Sequence, residues 1–287
     1  MKQIQESGYS YQVFVVDNAS IDGSQEYIET TFPDICLIKN RENLGFAKAN
    51  NIAIKQCNSK YLLLVNNDIE LPDRVLDDMI DYMELNLNVG ISGCQLIAPD
   101  NTNQRSFGDF HTFHQECKYL LINIFYPLLR NRESGITCFT DFTEREVDYI
   151  CGAFFLIRKS VVDQVGAFDE DYFFYVEESD LCYRIKKYTK YRVVFLPNLK
   201  VVHHGGGSSS SINQYKYQTQ LLKSKLIFAK KYYSWIQFHI YRFFSLLSML
   251  VGCCRKSIKF LIGREVSYPA YWSFFKNTVI LYLRGWL

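Results

Sequence analysis

Chain-breaking residues are scarce in this sequence. Only 6 prolines and 15 glycines occur in 287 residues, against a hydrophobic content of 48%, which excludes collagen-like, low-complexity and disordered chains. Cysteine pairs at metal or redox spacing are missing too. The 9 cysteines are odd in number and never form CxxC, so a zinc ribbon or a disulfide scaffold is excluded and a reducing compartment fits. Residues 1–10 hold no apolar stretch of the signal-peptide kind, and the expectation is a cytoplasmic protein. No GxGxxG, GxxxxGK[ST], HExxH or GxSxG pattern occurs, which removes the usual dinucleotide, P-loop, zincin and serine-hydrolase readings.

Acidic residues are missing from one end. Residues 212–287 hold twelve Lys/Arg and the single acid Glu265, a net of +11, whereas 1–211 carry a net of −9. All three tryptophans (Trp235, Trp272, Trp286) lie in that basic part. The asymmetry points to two regions with different work, with the boundary in the stretch from His203 through three glycines and four serines to Ser211. Long apolar runs are absent as well: the longest uncharged run in the tail, 243–254, has 12 residues, short of the roughly 20 that span a bilayer. Basic residues interleaved with Trp, Tyr and Phe suit helices lying in a membrane interface, or helices packed on the rest of the protein. No nucleic-acid recognition motif accompanies the charge, so no nucleic-acid partner is expected.

What is present is an alternation. Strands are predicted at 12–16, 35–39, Tyr61–Val65, 89–94, 147–157 and 192–196, with helices at 23–31, 45–56, 72–85, Lys159–Val165 and 179–188. YLLLV at 61–65 is apolar throughout, as in a strand covered on both faces. The pattern predicts an α/β fold with a mainly parallel sheet flanked by helices. Residues 98–146 break the rhythm and read as an excursion with helix near 115–130. Ligands of such sheets bind beyond the carboxyl ends of strands, where Asp17 and Asp68 both fall.

Four clusters of polar residues could carry chemistry. Asn66-Asn67-Asp68 closes a buried strand, and a carboxylate there can hold a divalent cation against a diphosphate; the three are equally good turn residues. Asp17, in VVDNAS, can accept hydrogen bonds from a nucleotide or cap the following helix. Glu177, Glu178 and Asp180 crowd a helix start beneath the apolar run at 173–175, where a carboxyl can have a raised pKa suited to a general base. Arg184 stands four residues after Asp180, which makes Asp180 structural and leaves Glu178 as the base candidate. His203, beside a glycine run, can ligate a metal such as Mn2+ or belong to a plain linker.

Together the segments VVDNASIDGS (15–24), NRENLGFAKANNIAI (40–54), YLLLVNNDIEL (61–71), GAFFLIRKSVVDQVGAFDEDYFFYVEESDLCYRI (152–185) and VVHHGGGSS (201–209) resemble glycosyltransferase family 2, of GT-A fold, in its rhamnosyltransferase-like branch. The resemblance covers most of 12–210. It implies an inverting transfer of a sugar, rhamnose by the branch's label, from a nucleotide-diphosphate sugar to a glycan or lipid-linked acceptor in surface polysaccharide synthesis, at the inner face of the cell membrane. By the same resemblance Asp17, Asn43, Gly45, Lys48 and Asn51 line the donor pocket, with Gly152 and Ala153 near the transferred sugar. Asn66, Asn67 and Asp68 stand where the family has its DxD-type motif, so Asp68, with His203, would hold Mg2+ or Mn2+; Asn66 replaces the first acid. Glu178 takes the catalytic position, with Glu177 as fallback. The domains implied are 1–211, catalytic, and 212–287, a helical tail that associates with membrane or packs on the domain. The family's pattern places a further strand and helix before 12–16, and the expectation is that the protein starts upstream. The alternatives are a truncated, non-catalytic nucleotide-sugar-binding relative and a sugar-phosphate nucleotidyltransferase.

Overall fold

The computed structural model describes residues 7–125, 143–205 and 214–261, together with 272, 275–276 and 278–280. By contact the chain divides into two units, Met1–Asp109 with Cys138–Gly207, and Phe110–Thr137 with Ser208–Leu287. Of the stretch at 98–146, the described residues 110–125 fall in the second unit.

The first unit opens with β1 (Phe14–Asp17), α1 (Ser24–Thr31), β2 (Cys36–Lys39) and α2 (Gly45–Ile54). β1 and β2 pair in parallel as a two-stranded sheet. There follow β3 (Tyr61–Val65), β4 (Ile69–Glu70), α3 (Val75–Leu85), β5 (Val89–Ile97) and β6 (Phe107–Gly108). After the excursion come β7 (Arg145–Glu146), β8 (Tyr149–Ile150), β9 (Phe154–Arg158), α5 (Lys159–Val165), α6 (Glu177–Tyr188) and β10 (Arg192–His203); α4 (Phe113–Phe125) belongs to the second unit.

The main sheet has the order β3-β9-β5-β10-β4, with β7 on β10. It is mixed rather than mainly parallel: β5 and β10 run parallel, whereas β9 is antiparallel to both β3 and β5, and β4 and β7 are antiparallel to β10. All nine residues of β5 are buried, as its central position requires. One face carries α3, whose Val75, Met79, Ile80 and Met83 recur at helical spacing and pack on Cys94, Leu96, Phe154, Leu156 and Val194. Arg158 is buried beneath this layer and donates to the carbonyls of Val89 (3.2 Å) and Met83 (2.8 Å) and to the Tyr61 hydroxyl (3.0 Å).

β10 runs further than predicted. Beyond the strand predicted at 192–196 the ladder shifts register around Pro197, between Leu196 and Lys200, and then resumes, pairing Lys200, Val201 and Val202 with Gln95, Leu96 and Ile97. A proline is tolerated at such a bulge because it interrupts no ladder bond there. His203 is therefore the last residue of a strand, not part of a flexible stretch; Gly206 to Ser211 lie outside the described residues.

Gly45 opens α2 with φ +80°, a conformation that L side chains rarely adopt, and a Cβ here would stand 2.2 Å from the Phe173 carbonyl oxygen. Phe46 N–H donates to that same carbonyl at 2.8 Å. Gly45→Ala is expected to lower the urea midpoint, combining the roughly 1–2 kcal/mol left-handed penalty with an overlap of about 1–3 kcal/mol; an unchanged midpoint counts against this account.

The second unit holds α4, α7 (Gln214–Tyr232) and α8 (Trp235–Leu261). Leu120, Leu226, Ala229 and Tyr241 form its core. Glu116 is buried there between His111 (2.7 Å) and Lys225 (2.8 Å). Burial works to raise its pKa, but the Lys225 charge and the His111 contact prevail and hold it down to about 2. A carboxyl depressed in the folded state stabilises above its ordinary range and loses that contribution as pH falls through the folded value. Helical circular dichroism should therefore show stability falling between about pH 4.5 and 2, and Glu116→Gln should flatten that slope.

Candidate active site

Asp17 closes β1 and is buried, its Oδ1 accepting from Ser20 N–H (3.0 Å) and Gln25 Nε2 (2.6 Å). Burial raises its pKa, yet the hydrogen bonds from Ser20 and Gln25 outweigh burial and the net shift is downward. Ala19 follows at φ 66°. A carboxylate so satisfied is rigidly held, with its second oxygen not taken by these two donors.

Two-residue β4 is what assembles the next group. Its antiparallel pairing, His203 opposite Ile69 and Val202 opposite Glu70, lays the 66–68 turn against the end of β10. His204 N–H donates to the Asp68 carbonyl at 2.9 Å. The His203 Nε2 then stands 3.4 Å from Asp68 Oδ1, and that oxygen is buried with no hydrogen-bond donor. Asn66 N–H is held by the Ala153 carbonyl (2.9 Å), while Asn67 is exposed.

Gly152, next to Ala153, faces Glu178: a Cβ on Gly152 would lie 3.8 Å from the glutamate's Cβ, Cγ and Cδ. Gly152 and Ala153 thus join the base candidate to the turn that carries Asp68. Glu177 and Glu178 begin α6 directly after Tyr175 (φ 69°) and Val176 (φ 73°). Consecutive left-handed non-glycine residues, one of them β-branched, cost of order 1–3 kcal/mol each and cluster at functional sites. Both carboxyls keep Oε2 buried without a partner. Burial pushes both pKa values up, the Glu178 charge adding to the rise at Glu177; backbone hydrogen bonds and the Arg105 charge offset only part of it at Glu178. Asp180 is structural as its spacing predicted: Arg184 Nε donates to it at 2.8 Å, and its Nη atoms reach the carbonyls of Val165 (2.6 Å) and Ala167 (2.6 Å).

Two of the residues expected in the donor pocket have other contacts too. Gly45 makes its close approach to Phe173, and Asn43 Oδ1 accepts its N–H at 3.0 Å. Asn51 is buried and clamps the backbone at Phe168 from both sides, Nδ2 donating to its carbonyl (2.8 Å) and Oδ1 accepting its N–H (3.0 Å). Gly45 and Asn51 thus also contact the 168–176 loop that leads into Glu177 and Glu178. Lys48 stands exposed on α2. Arg105 escaped the sequence reading: its Nη2 donates to the Tyr149 hydroxyl at 3.1 Å, and its charge acts on Glu178. Nothing in its local sequence marks it.

The family model described as Glycosyl transferase family 2 matches residues 2–166, more than half of the chain. The chain belongs to glycosyl transferase family 2. Among this family's curated members it is 26% identical over 212 residues to the N-acetylglucosaminyl-diphospho-decaprenol L-rhamnosyltransferase of Mycobacterium tuberculosis, covering 69% of this chain and 67% of that one. To the rhamnosyltransferase WbbL of Escherichia coli K12 it is 24% identical over 196 residues, covering 65% and 71%. The mannosyltransferase PcManGT of Pyrobaculum calidifontis, solved with GDP-Man and Mn2+, superposes with a TM-score of 0.52 at 16% identity over 98% of this chain and 74% of that one. The fold is GT-A, as the sequence resemblance implied.

A family 2 enzyme that uses a cation needs ligands for it. Among the described residues no cluster of three or more His, Cys, Asp or Glu is placed to hold a metal. Asp68 Oδ1 and His203 Nε2 supply two, which fits Mg2+ or Mn2+, ions that take their other positions from phosphate oxygens and water.

Proposed function

We propose that this protein is an inverting glycosyltransferase that moves a sugar, rhamnose first among the candidates, from a nucleotide-diphosphate sugar to a glycan or lipid-linked hydroxyl in surface polysaccharide synthesis. The observation that carries this reading is the pairing of a bare acceptor couple, Asp68 Oδ1 and His203 Nε2, with a buried carboxyl, Glu178, linked to it through Gly152 and Ala153. The names of the curated relatives supply the sugar and the lipid-diphosphate acceptor.

Asp68 and His203 would hold a Mg2+ or Mn2+ ion, which would supply neutralising charge to the diphosphate. Asp17 holds the nucleotide by accepting its hydrogen bonds. Gly152, lacking a side chain, leaves room for the sugar beside Glu178. Glu178 takes the proton of the acceptor hydroxyl as that oxygen attacks the anomeric carbon, whose bond to the diphosphate oxygen breaks to release the nucleoside diphosphate. Its raised pKa makes it a stronger base than an exposed glutamate. The test is a panel of nucleotide sugars with Mn2+ and a lipid-diphosphate acceptor. Nucleoside diphosphate release matched to glycosylated lipid is expected. Pyrophosphate release would instead indicate a nucleotidyltransferase, and no turnover a binding protein.

A lipid-linked acceptor accounts for the second unit. By length and composition one helix among the described residues can cross a membrane: Trp235–Ile258, 24 residues long and mostly not buried. The sequence shows no uncharged run of that length here, the longest being 243–254. Ile236, Ile240, Phe243, Leu250, Ile258 and Leu261 are all exposed and fall on one narrow stripe at 100° per residue. In a tail of net +11, such a stripe suits a helix lying in the headgroup layer of the cytoplasmic leaflet, apolar side down. Flotation should show binding to anionic liposomes that weakens with salt; absence of binding at low salt contradicts the membrane role.

A further inference from the structure

Gln104 falls in the stretch where the sequence shows no rhythm, yet its side chain grips His203 from two sides. Its Nε2 donates to the His203 main-chain carbonyl at 2.8 Å, and its Oε1 meets the ring Nδ1 at 2.7 Å. An amide oxygen can only accept, so the ring proton belongs on Nδ1. In its neutral form the imidazole then presents Nε2 as a lone pair, 3.4 Å from an Asp68 oxygen that has no hydrogen-bond donor. Two acceptors at that separation match neighbouring ligands of one divalent ion, whose bonds of about 2.0–2.2 Å place them roughly 3 Å apart.

Gln104 is itself anchored. Its N–H donates to the Leu96 carbonyl at 2.8 Å, and its own carbonyl accepts from Gln95 Nε2 (2.9 Å) and Ser106 Oγ (3.0 Å). Gln95 and Ser106 are both buried, and Ser106 Oγ also accepts the Leu96 N–H at 2.8 Å. This polar network grows out of the wholly buried strand β5, so the Gln104 amide is backed by the most rigid part of the sheet. Fully satisfied buried networks of this kind fix one arrangement of their members.

We infer that Gln104 is a positioning residue for the cation–diphosphate site: it sets the tautomer and ring orientation of His203, so that Nε2 faces the ion together with Asp68. The inference rests on the reading of Asp68 and His203 as ion ligands. Loss of such an outer partner typically weakens metal binding about 10–100-fold.

The experiment is a calorimetric titration of the full chain with preformed Mn2+–pyrophosphate, and with Mn2+ alone, on wild type, His203→Ala, Gln104→Leu and Gln104→Glu. Gln104→Leu should weaken binding about 10–100-fold. Gln104→Glu keeps an acceptor opposite Nδ1 but gives up the donor to the His203 carbonyl; it should regain a measurable part of the affinity that Gln104→Leu loses, which a merely structural role would not do. Nitrogen-15 spectra of the His203 ring, read without metal, should show the Nδ1–H tautomer in wild type and a shift towards Nε2–H in Gln104→Leu. If His203→Ala loses binding and Gln104→Leu does not, Gln104 has no positioning role. If neither variant changes affinity, the ion-ligand reading falls and this inference with it. Thermal unfolding of each variant controls for collapse: should Gln104→Leu fail to fold, the tautomer of Gln104→Glu decides, and an Nε2–H ring there overturns the inference.

Discussion

Glu178→Gln is expected to lower turnover about 10²–10⁴-fold, the usual contribution of a general base, while nucleotide-sugar affinity stays within a few-fold. The amide keeps the shape of the side chain against Gly152 and removes only the ability to take a proton. The same substitution should make the protein more stable at neutral pH. Burial raises the pKa values of Glu177 and Glu178, so the folded protein holds protons that the unfolded chain releases. Stability from such groups is present below the ordinary carboxyl range and is lost as pH rises through the raised values. A gain in melting temperature at neutral pH together with a loss of turnover marks a residue kept for chemistry at the expense of folding. The acid limb of kcat/KM in the wild type should lie above the ordinary glutamate range for the same reason. Equal losses in turnover and donor affinity would remove Glu178 from the base role.

Arg184→Met is expected to produce the largest loss of stability. Asp180 has no solvent exposure, and the Arg184 guanidinium both faces it and ties the carbonyls of Val165 and Ala167 to α6. Removing one member of a buried ion pair costs about 3–5 kcal/mol, because the remaining charge stays desolvated. Urea unfolding measures it, and the double variant Asp180→Asn with Arg184→Met should recover part of the loss. A cost below about 1 kcal/mol would show the pair to behave like an exposed one.

These expectations rest on unequal kinds of legibility. Tyr61–Val65 and Lys159–Val165 stand where the sequence predicts them, because an unbroken apolar run and a short helix leading to Gly166 leave few alternatives. Pairing was not legible: nothing local in Phe154–Arg158 says that it inserts antiparallel between β3 and β5. The continuation of the strand beyond Leu196 was not legible, because a register shift around Pro197 carries β10 on until His203 meets Asp68. The candidate site was legible as far as residues beyond strand ends and family motifs go, namely Asp17, Asp68, Glu178 and His203. Gly45 and Asn51 sit in a motif shared with the family, and their contacts to the 168–176 loop are visible only in coordinates. Gln104 and Arg105 are brought in by tertiary contacts from a segment without periodicity, and no residue-level signal announced them.

The proposed function makes one stereochemical commitment: Glu178 would activate the acceptor in a single displacement opposite a diphosphate held at Asp68 and His203. Proton NMR of the first product formed, before any exchange, reads the anomeric configuration against that of the donor. Inversion is the predicted result. Retention would contradict the assignment of Glu178 as base and require a covalent or front-face route that this account does not contain.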